Sequence, residues 1–530
     1  MVRIDLVKGT CNTSKKNSSM SSSLSEVQTF YSGASIFLTG ATGFVGRLIL
    51  EKLIRTCSNI KKIHVLIREK KGKTTEERFK DLFNDSLFDL MKKKTPDYLD
   101  KVSPIIGDCI QSNLGINEQD REVIKNEVNI VIHSAATVRF DEHLRKAVKI
   151  NIISLQDLLK LSQEIKHLKA FIHISTAYSN CAGRKTVDEV FYDLPFSGDN
   201  LIQVVNNLSD EYINNVTPSI LNKWPNTYAM TKAIAEGEIL RYGKGLPIGV
   251  VRPAMIIATA NEPVRGWINN VYGPTGVVAA VVVGLMRVMY ADPKTNAELI
   301  PGDFVSNAII VSAWDVHNKW KSYTKENSLE AESATVRAFS PPIYHCVSTN
   351  ANPLTWSEFS YYNKKHGARL PSIQSICIPM LTLTTSMFKF KIIIYLVHIL
   401  PAMIIDRLAT LVGKVPRLVK EYDKLHKFID VVSYFSVRSW TFNDTNLKGM
   451  MKAMSDQDKA LFDFDISKLD WDDYLKHQMI GIKLYIFKEP IETVPEGLKH
   501  NRKLKVFFYM LLAFLGCLLL LIVYGIKLLL

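Results

Sequence analysis

No CxxC pair occurs in the 530 residues, and the seven cysteines, at 11, 57, 109, 181, 346, 377 and 517, are odd in number and widely scattered. That spacing offers neither a disulfide framework nor a zinc site, so no metal is expected and the bulk of the chain should face a reducing compartment. The N-terminal residues lack the apolar run that a secretory signal requires; 12–25 is rich in Ser, Lys and Asn, and 1–33 reads as a flexible tail. Charged residues are 22% of the chain, with no long basic run, zinc-finger spacing or RNA-binding aromatic signature, which sets nucleic acid aside as a partner despite a net charge of +14. The excess of 66 Lys and Arg over 52 Asp and Glu suits smaller or flatter anions: a phosphorylated cofactor, a CoA ester or an acidic membrane surface. A hydrophobic share of 47% excludes collagen-like and wholly disordered chains and leaves material for roughly two to four folded units.

Long uncharged runs are also scarce, and the one that stands out is near the C-terminus. Val506 to Ile526, VFFYMLLAFLGCLLLLIVYGI, is 21 residues without a charge, a match to a hydrocarbon core of about 30 Å. It reads as a transmembrane helix. Lys499, His500, Arg502, Lys503 and Lys505 precede it and only Lys527 follows, so the positive-inside rule keeps everything upstream in the cytosol. A second apolar stretch, Ile392 to Ile405, holds His398 and Pro401 and is too short to span unaided, which makes it a core or interfacial helix.

The stretch Ala34 to Ile54, ASIFLTGATGFVGRLILEKLI, pairs a buried strand at Ile36 to Leu38 with a helix whose apolar residues Val45, Leu48, Ile49 and Leu53 recur at helical spacing. Gly40, Gly43 and Gly46 punctuate the turn between them. Their roles in a dinucleotide fold would be a tight turn, backbone approach to a pyrophosphate and close helix packing, with Thr42, Phe44 and Val45 carrying the intervening amides. Further strands are expected at Lys62 to Arg68, Val102 to Gly107, Asn129 to His133, Ala170 to Ser175 and Pro247 to Arg252, the rhythm of a Rossmann-type α/β fold with a doubly wound parallel sheet. The second strand ends at Arg68, where an NAD-binding protein would place a carboxylate; Arg68, Lys70 and Lys71 instead suit the extra phosphate of NADPH, with Glu69 beside them. Asp108 is placed to reach the adenine, Ala135 and Ala136 to flank the ribose.

Tyr228 and Lys232 in TYAMTK are four residues apart and share one helix face. They come after a glycine-turn nucleotide fold and the strand FIHIST, whose Ser175 and Thr176 fall at the C-terminal edge where α/β sheets hold ligands. In that order these elements resemble the acid triad of a short-chain dehydrogenase. The Tyr hydroxyl, made more acidic by the Lys ammonium, would protonate the oxygen next to the carbon that takes a hydride, while Thr176 or Ser175 holds that oxygen. The alignment of FIHISTAY with the extended short-chain pattern prefers Thr176 and leaves Ser175 open. Cys181 to Thr227 would form part of the substrate mouth, and Cys181, five residues past Thr176, is a second nucleophile to weigh.

With FLTGATGFVGRLILEKLIR, VIHSAATVRFDEHL, FIHISTAY, NTYAMTKAIAE, VVRPAMI and GWINNVYGPTGV upstream, and ILPAMIIDRLATLVGKVPRLVKEYDKL and WTFNDTN downstream, the chain resembles the fatty acyl-CoA reductases, extended short-chain dehydrogenases with a male-sterility-type C-terminal domain. The resemblance spans about residues 34 to 475. It implies reduction of a long-chain acyl-CoA to a primary alcohol by two NADPH through a retained aldehyde, with Pro253 of VVRPAMI added to the cofactor contacts. GVVAAVVVGLM, 276–286, would line an acyl tunnel or simply form a core helix. The expected division is a tail at 1–33, an NADP-binding reductase domain at 34–370, a helical C-terminal domain at 371–480, a basic linker at 481–505 and a membrane helix at 506–526, with the anchor in endoplasmic reticulum or peroxisome. A membrane-bound sterol or sugar-nucleotide dehydrogenase would share the cofactor features but not the C-terminal domain. A non-catalytic nucleotide-sensing scaffold would have no need of an intact Tyr228 and Lys232. Oligomeric state is not legible.

Overall fold

The computed structural model describes residues 23–70, 72–329 and 338–529. Seven strands, β1 (Ser35–Thr39), β2 (Lys62–Ile67), β3 (Val102–Ile106), β4 (Ile130–His133), β5 (Ala170–Ile174), β6 (Ile248–Pro253) and β7 (Ile343–Cys346), form one sheet in the order β7-β6-β5-β4-β1-β2-β3. Every pairing is parallel, with Ile36 of β1 beside Ile63 on one side and Ile130 on the other. This is a Rossmann-type α/β fold, and the five strands expected after β1 fall within a residue or so of their limits. β7 carries too short an apolar run to be legible in the sequence. Because helices cover both faces, the central strands β1 and β4 to β6 are buried throughout rather than alternating.

Eight helices frame the site and its surroundings: α1 (Glu26–Tyr31), α2 (Phe44–Thr56), α3 (Thr75–Leu82), α4 (Thr227–Tyr242), α5 (Pro274–Val282), α6 (Gly302–Leu329), α7 (Leu418–Ser436) and α8 (Val494–Leu529). Leu48, Ile49 and Leu53 of α2 meet Val305 and Ile309 of α6 in one core, while Ala235 and Ile239 of α4 join Leu155, Leu158 and Leu159 in the core on the opposite face. Strand order reverses at β1, so the C-terminal ends of β1 and β4 border the crevice where such sheets bind ligands.

Three expected boundaries read differently in the structure. Residues 1–22 of the expected tail lie outside the described residues, but from Ser25 the chain is folded: Ser25 and Gln28 form a reciprocal cap, and Val27, Phe30 and Tyr31 are buried, an apolar face that the Ser-rich composition masks. Residues 481–505 are an ordered run of helical turns, with Lys483 buried against Glu489 at 2.7 Å, and the expected membrane segment 506–526 falls inside the continuous helix α8. The stretch read as 392–405 is part of one helix from Met387 to Leu411, 25 residues long and apolar enough to cross a membrane. A π-turn at Tyr395–Ile399 lies just before Pro401, where the missing N–H is tolerated and the helix carries on past it.

WTFNDTN is a clip. Thr441 and Phe442 pair with Thr186 and Val187, and the Trp440 indole donates to the Cys181 carbonyl at 3.0 Å.

Candidate active site

The turn after β1 is held shut by backbone packing. Gly40 sits at φ +74°, and a Cβ there would stand 2.7 Å from the Ala135 nitrogen; one on Gly46 would stand 2.2 Å from the Gly40 carbonyl oxygen. Both positions therefore exclude any larger residue. Gly43 is the N-cap of α2 and supplies no capping side chain, which leaves the first-turn amides of α2, from Phe44, Val45 and Gly46, directed at the crevice. The Phe44 ring turns inward and stacks on Trp267 at 5.3 Å, so Phe44 offers the site backbone only. Ala135 donates its N–H to Thr39 Oγ1 at 3.2 Å, which fixes Ala135 and Ala136 against the turn.

Arg68 leaves the end of β2 and pairs with Asp108 across 3.2 Å. Asp108 also accepts from the Ile110 amide. Two arginines that no sequence motif marks complete the group. Arg78 on α3 donates to the Arg68 carbonyl and reaches Thr42 Oγ1 at 3.5 Å, and burial together with the charges of Arg68 and Arg47 pushes its guanidinium below the usual range. Arg47 donates to the Thr42 carbonyl at 3.3 Å and to Asp85. Crowded guanidiniums beside an open helix N-terminus and a glycine cradle fit a phosphorylated dinucleotide. Lys70 lies in the same turn, bridged to Lys73; Lys71 lies outside the described residues.

Across the crevice, α4 begins at the Asn226 cap and carries Tyr228 and Lys232 on one face. Lys232 is buried and donates to the Ile174 carbonyl at 2.7 Å, at the end of β5. Burial lowers it to about 8, and the Glu236 carboxylate opposes that fall. Burial pushes Tyr228 up to about 12, and the neighbouring Thr176 side chain acts in the opposite direction without offsetting it. The expected acidification of Tyr228 by Lys232 is therefore not what the geometry delivers: the ammonium is bound to a backbone carbonyl, and loss of hydration governs the phenol.

Ser175 has a different partner. Its hydroxyl donates to Glu236, which also accepts from Ser179 and Asn180, both at 3.0 Å, and from Arg252 at 2.6 and 2.9 Å. The structure thus brings Thr176, Tyr228 and Lys232 together and draws Ser175 into a buried ion-pair network. Pro253 ends β6 beneath Thr176, its carbonyl 3.5 Å from the Thr176 hydroxyl and 2.9 Å from the Ala177 amide. Glu236 escapes sequence reasoning although it lies four residues past Lys232 on the same face. Asn151 escapes it too; from a π-turn it donates to Thr231 and accepts from the Thr137 amide, tying the loop after β4 to α4. Nothing local in the sequence marks either partner.

Tyr228 lines an apolar pocket walled by Phe140, Tyr178, Val277, Met289, Val432 and Phe435 among others. Val277 belongs to α5, inside the expected tunnel stretch 276–286. No wall comes from 181–227: the helices of that insertion bury Leu201, Val205 and Ile213 against Leu144 and Val148 instead. Cys181 is buried, its thiol directed at the Tyr178 carbonyl and pushed up to about 12 by burial, a poor nucleophile.

Two family models, both described as "Male sterility protein", match the chain, an NAD-binding one over residues 38–309 and a second over 397–489. "Fatty acyl-CoA reductase wat" of Drosophila melanogaster is 39% identical over 490 residues, 92% of this chain and 91% of that protein. "Fatty acyl-CoA reductase 1" of Homo sapiens is 35% identical over 476 residues, 90% and 89% of the two chains. Among solved structures, the terminal R domain from the myxalamid PKS-NRPS biosynthetic pathway superposes with a TM-score of 0.55 at 18% identity, covering 86% of this chain and 92% of its own. The reductase domain of a non-ribosomal peptide synthetase from Mycobacterium tuberculosis gives 0.53 at 17%, covering 87% and 95%. These two similarities concern the fold. With a glycine cradle for a nicotinamide dinucleotide, a Tyr and Lys pair beside an apolar cavity, and relatives matched over nine-tenths of the length, the chain belongs to the fatty acyl-CoA reductase family.

Proposed function

We propose that this fatty acyl-CoA reductase uses NADPH to reduce long-chain acyl-CoA to a primary fatty alcohol and free CoA, by way of an aldehyde that stays bound. The observation that carries the reading is that Tyr228 lines an apolar pocket while Lys232, four residues on along α4, is anchored on the Ile174 carbonyl at the strand end that carries Thr176. Gly40, Thr42, Gly43, Phe44, Val45 and Gly46 would hold the pyrophosphate, Ala135, Ala136, Asp108 and Pro253 the nucleoside side, and Arg68 the 2′-phosphate with Arg78 beside it. NADPH, when bound, would supply a hydride to the carbonyl carbon once in each of two stages, first to the thioester and then to the aldehyde, so that two NADPH are consumed per alcohol.

The chain's own groups manage oxygen and protons. With its hydroxyl pushed up to about 12, Tyr228 is protonated across the physiological range and serves as donor, while Thr176 shares the oxygen that gains negative charge. In the first stage the carbon–sulfur bond breaks and CoA departs as a thiol after taking a proton. In the second, the aldehyde oxygen takes the Tyr228 proton and becomes the alcohol. Phe140, Val277 and Val432 keep water away and give the aldehyde an apolar seat between stages. Lys232, held by the Ile174 carbonyl, keeps a positive charge near the phenol while that proton is replaced.

On this reading the chain is held in a membrane through 506–526, its active site cytosolic, on endoplasmic reticulum or peroxisome. The uncharged run and the basic residues before it support this. Detergent-solubilised protein incubated with acyl-CoAs of graded length and either NADPH or NADH, with alcohol and aldehyde read by mass spectrometry, tests the chemistry; absence of alcohol would sink it, and free aldehyde in place of alcohol would sink the retained intermediate. Protease added to sealed microsomes should cleave between Gly40 and Lys232 without detergent, and protection there would put the site in the lumen.

A further inference from the structure

The helix from Met387 to Leu411 carries two unlike faces. Phe390, His398 and Ala402 are buried, and the His398 ring stacks on Tyr422 of α7 at 4.8 Å while its Nε2 accepts the Arg287 amide at 3.3 Å. Away from that seam Phe388, Ile392, Leu396, Leu400, Ile404 and Leu408 recur at every fourth residue, all exposed, Phe388 by 75% and Leu408 by 57%. The stripe runs on through Leu411 at 82% and Val412 at 71%. An apolar surface of this extent has a partner.

We propose that this stripe is a lipid-docking face: the helix lies in the plane of a bilayer surface, seated in the headgroup region, and does not cross it. Its length and hydropathy allow a span, but its packing does not. Phe390, Ile393 and Ile394 share a cluster with Leu425 and Phe428 of α7, His398 meets Arg287, and Asp406 near the far end accepts the amides that open α7, so both helix ends stay with the same folded body.

Three observations select lipid over a protein partner. Between 387 and 420 the chain has Lys389, Lys391, Arg407, Lys414, Arg417 and Lys420 against the single acid Asp406, whose carboxylate is taken up by the amides of Arg417, Leu418 and Val419. A basic rim around an apolar stripe suits an anionic bilayer surface. Second, the loop that leads into this helix is exposed and apolar beside the root of α8. His500 Nε2 lies 2.6 Å from the Ser375 carbonyl oxygen, and the loop through Ser375 exposes Ile373, Ile376 and Met380 before leading into the helix. Val506 comes six residues after His500, about 9 Å along a helix. Third, buried Phe390 shares an apolar cluster with Val277, Met289 and Val432, three of the residues that wall the cavity. The docked helix would thus bring the cavity wall to the phase in which long acyl chains dissolve.

The inference rests on the membrane reading of 506–526, and the test separates the two. The full chain, with Cys11, Cys377 and Cys517 changed to Ser, is labelled with an environment-sensitive fluorophore at Leu396→Cys, at Leu408→Cys or at Leu512→Cys, and reconstituted in phosphatidylcholine–phosphatidylserine vesicles. Nitroxides are placed at shallow or deep positions of the lipid chains. The expected result is blue-shifted emission at 396 and 408, quenched several-fold more by shallow than by deep nitroxides. Solvent-like emission at both sites would overturn the proposal. Stronger deep quenching would overturn it in favour of a span, and a blue shift untouched by any nitroxide in favour of a protein cover such as a second copy. Label 512 reports only on α8: if it goes unquenched the C-terminal span fails, while 396 and 408 still decide the docking face.

Discussion

The hydroxyl of Ser175 donates to the buried carboxylate of Glu236, while that of Thr176, one residue further, accepts the Tyr178 amide at 3.3 Å and lies 3.5 Å from the Pro253 carbonyl. Adjacent hydroxyls at one strand end thus have separate work. Thr176→Ala should lower kcat by about 100-fold, the usual loss for a group that steadies a developing oxyanion, with little change in thermal midpoint. Ser175→Ala should spare most of kcat and lower stability by about 1 kcal/mol, since Glu236 keeps Ser179, Asn180 and Arg252. Steady-state rates and melting curves of the two variants, side by side, decide it; equal losses of kcat would return Ser175 to the reaction.

Tyr228→Phe and Lys232→Met should each cut turnover by at least about 100-fold with NADPH affinity nearly unchanged. The wild-type pH profile adds a sharper test. Burial lowers Lys232 to about 8, so its positive charge, present at neutral pH, is lost as pH rises through that value. The free-enzyme profile of kcat/KM should accordingly bend downward above about pH 8. A plateau up to pH 10 would remove the Lys232 ammonium from the chemistry.

Legibility in the sequence tracks the range of the interactions. The glycine turn and the pair Tyr228 and Lys232 are local patterns, so their elements can be read directly. The choice between Ser175 and Thr176 cannot, because it depends on Glu236 and Arg252, which are 61 and 77 residues beyond Ser175 in the sequence and meet it only when β5, β6 and α4 pack. Arg78 stays hidden for the same reason: α3 must fold back before its guanidinium reaches the Arg68 carbonyl. Composition misleads at 23–33 and at 181–227, where apolar residues at helical spacing bury against distant helices. The helix through Pro401 reads short because proline signals an interruption unless the π-turn before it is known.

The proposed preference for NADPH over NADH turns on the arginines. Arg68→Asp should weaken NADPH by at least about 10-fold more than NADH, because a carboxylate there repels the 2′-phosphate and can accept from ribose hydroxyls instead. Arg78→Ala should act in the same direction with a smaller effect, since Arg78 also holds the Arg68 carbonyl and so positions that strand end. Dissociation constants for both nucleotides, by cofactor fluorescence, supply the comparison; parallel losses for the two would assign the arginines to packing alone.

Glu298 gives a prediction about stability and pH. Its side chain is 2% exposed, accepts the Ser348 amide at 3.2 Å, and has one oxygen with no partner among the described residues. Burial raises it to about 7, more than the amides of Ser348 and Thr349 can offset. In the unfolded chain it would ionise near 4.5, so between about pH 4.5 and 7 the folded state holds a proton that the unfolded state has released. Stability from this group is complete below that window and falls as pH rises through it. Glu298→Gln keeps the shape and cannot ionise. Its stability relative to wild type should therefore climb from pH 5 to pH 8, by an amount approaching about 3 kcal/mol at roughly 1.4 kcal/mol per pH unit crossed, and level off above. Thermal midpoints of the detergent-solubilised proteins at pH 5 and pH 8 measure this. A variant whose midpoint stays a constant distance from wild type at both would mean that Glu298 is already ionised in its buried seat, with Ser348 and Thr349 supplying enough to hold the charge.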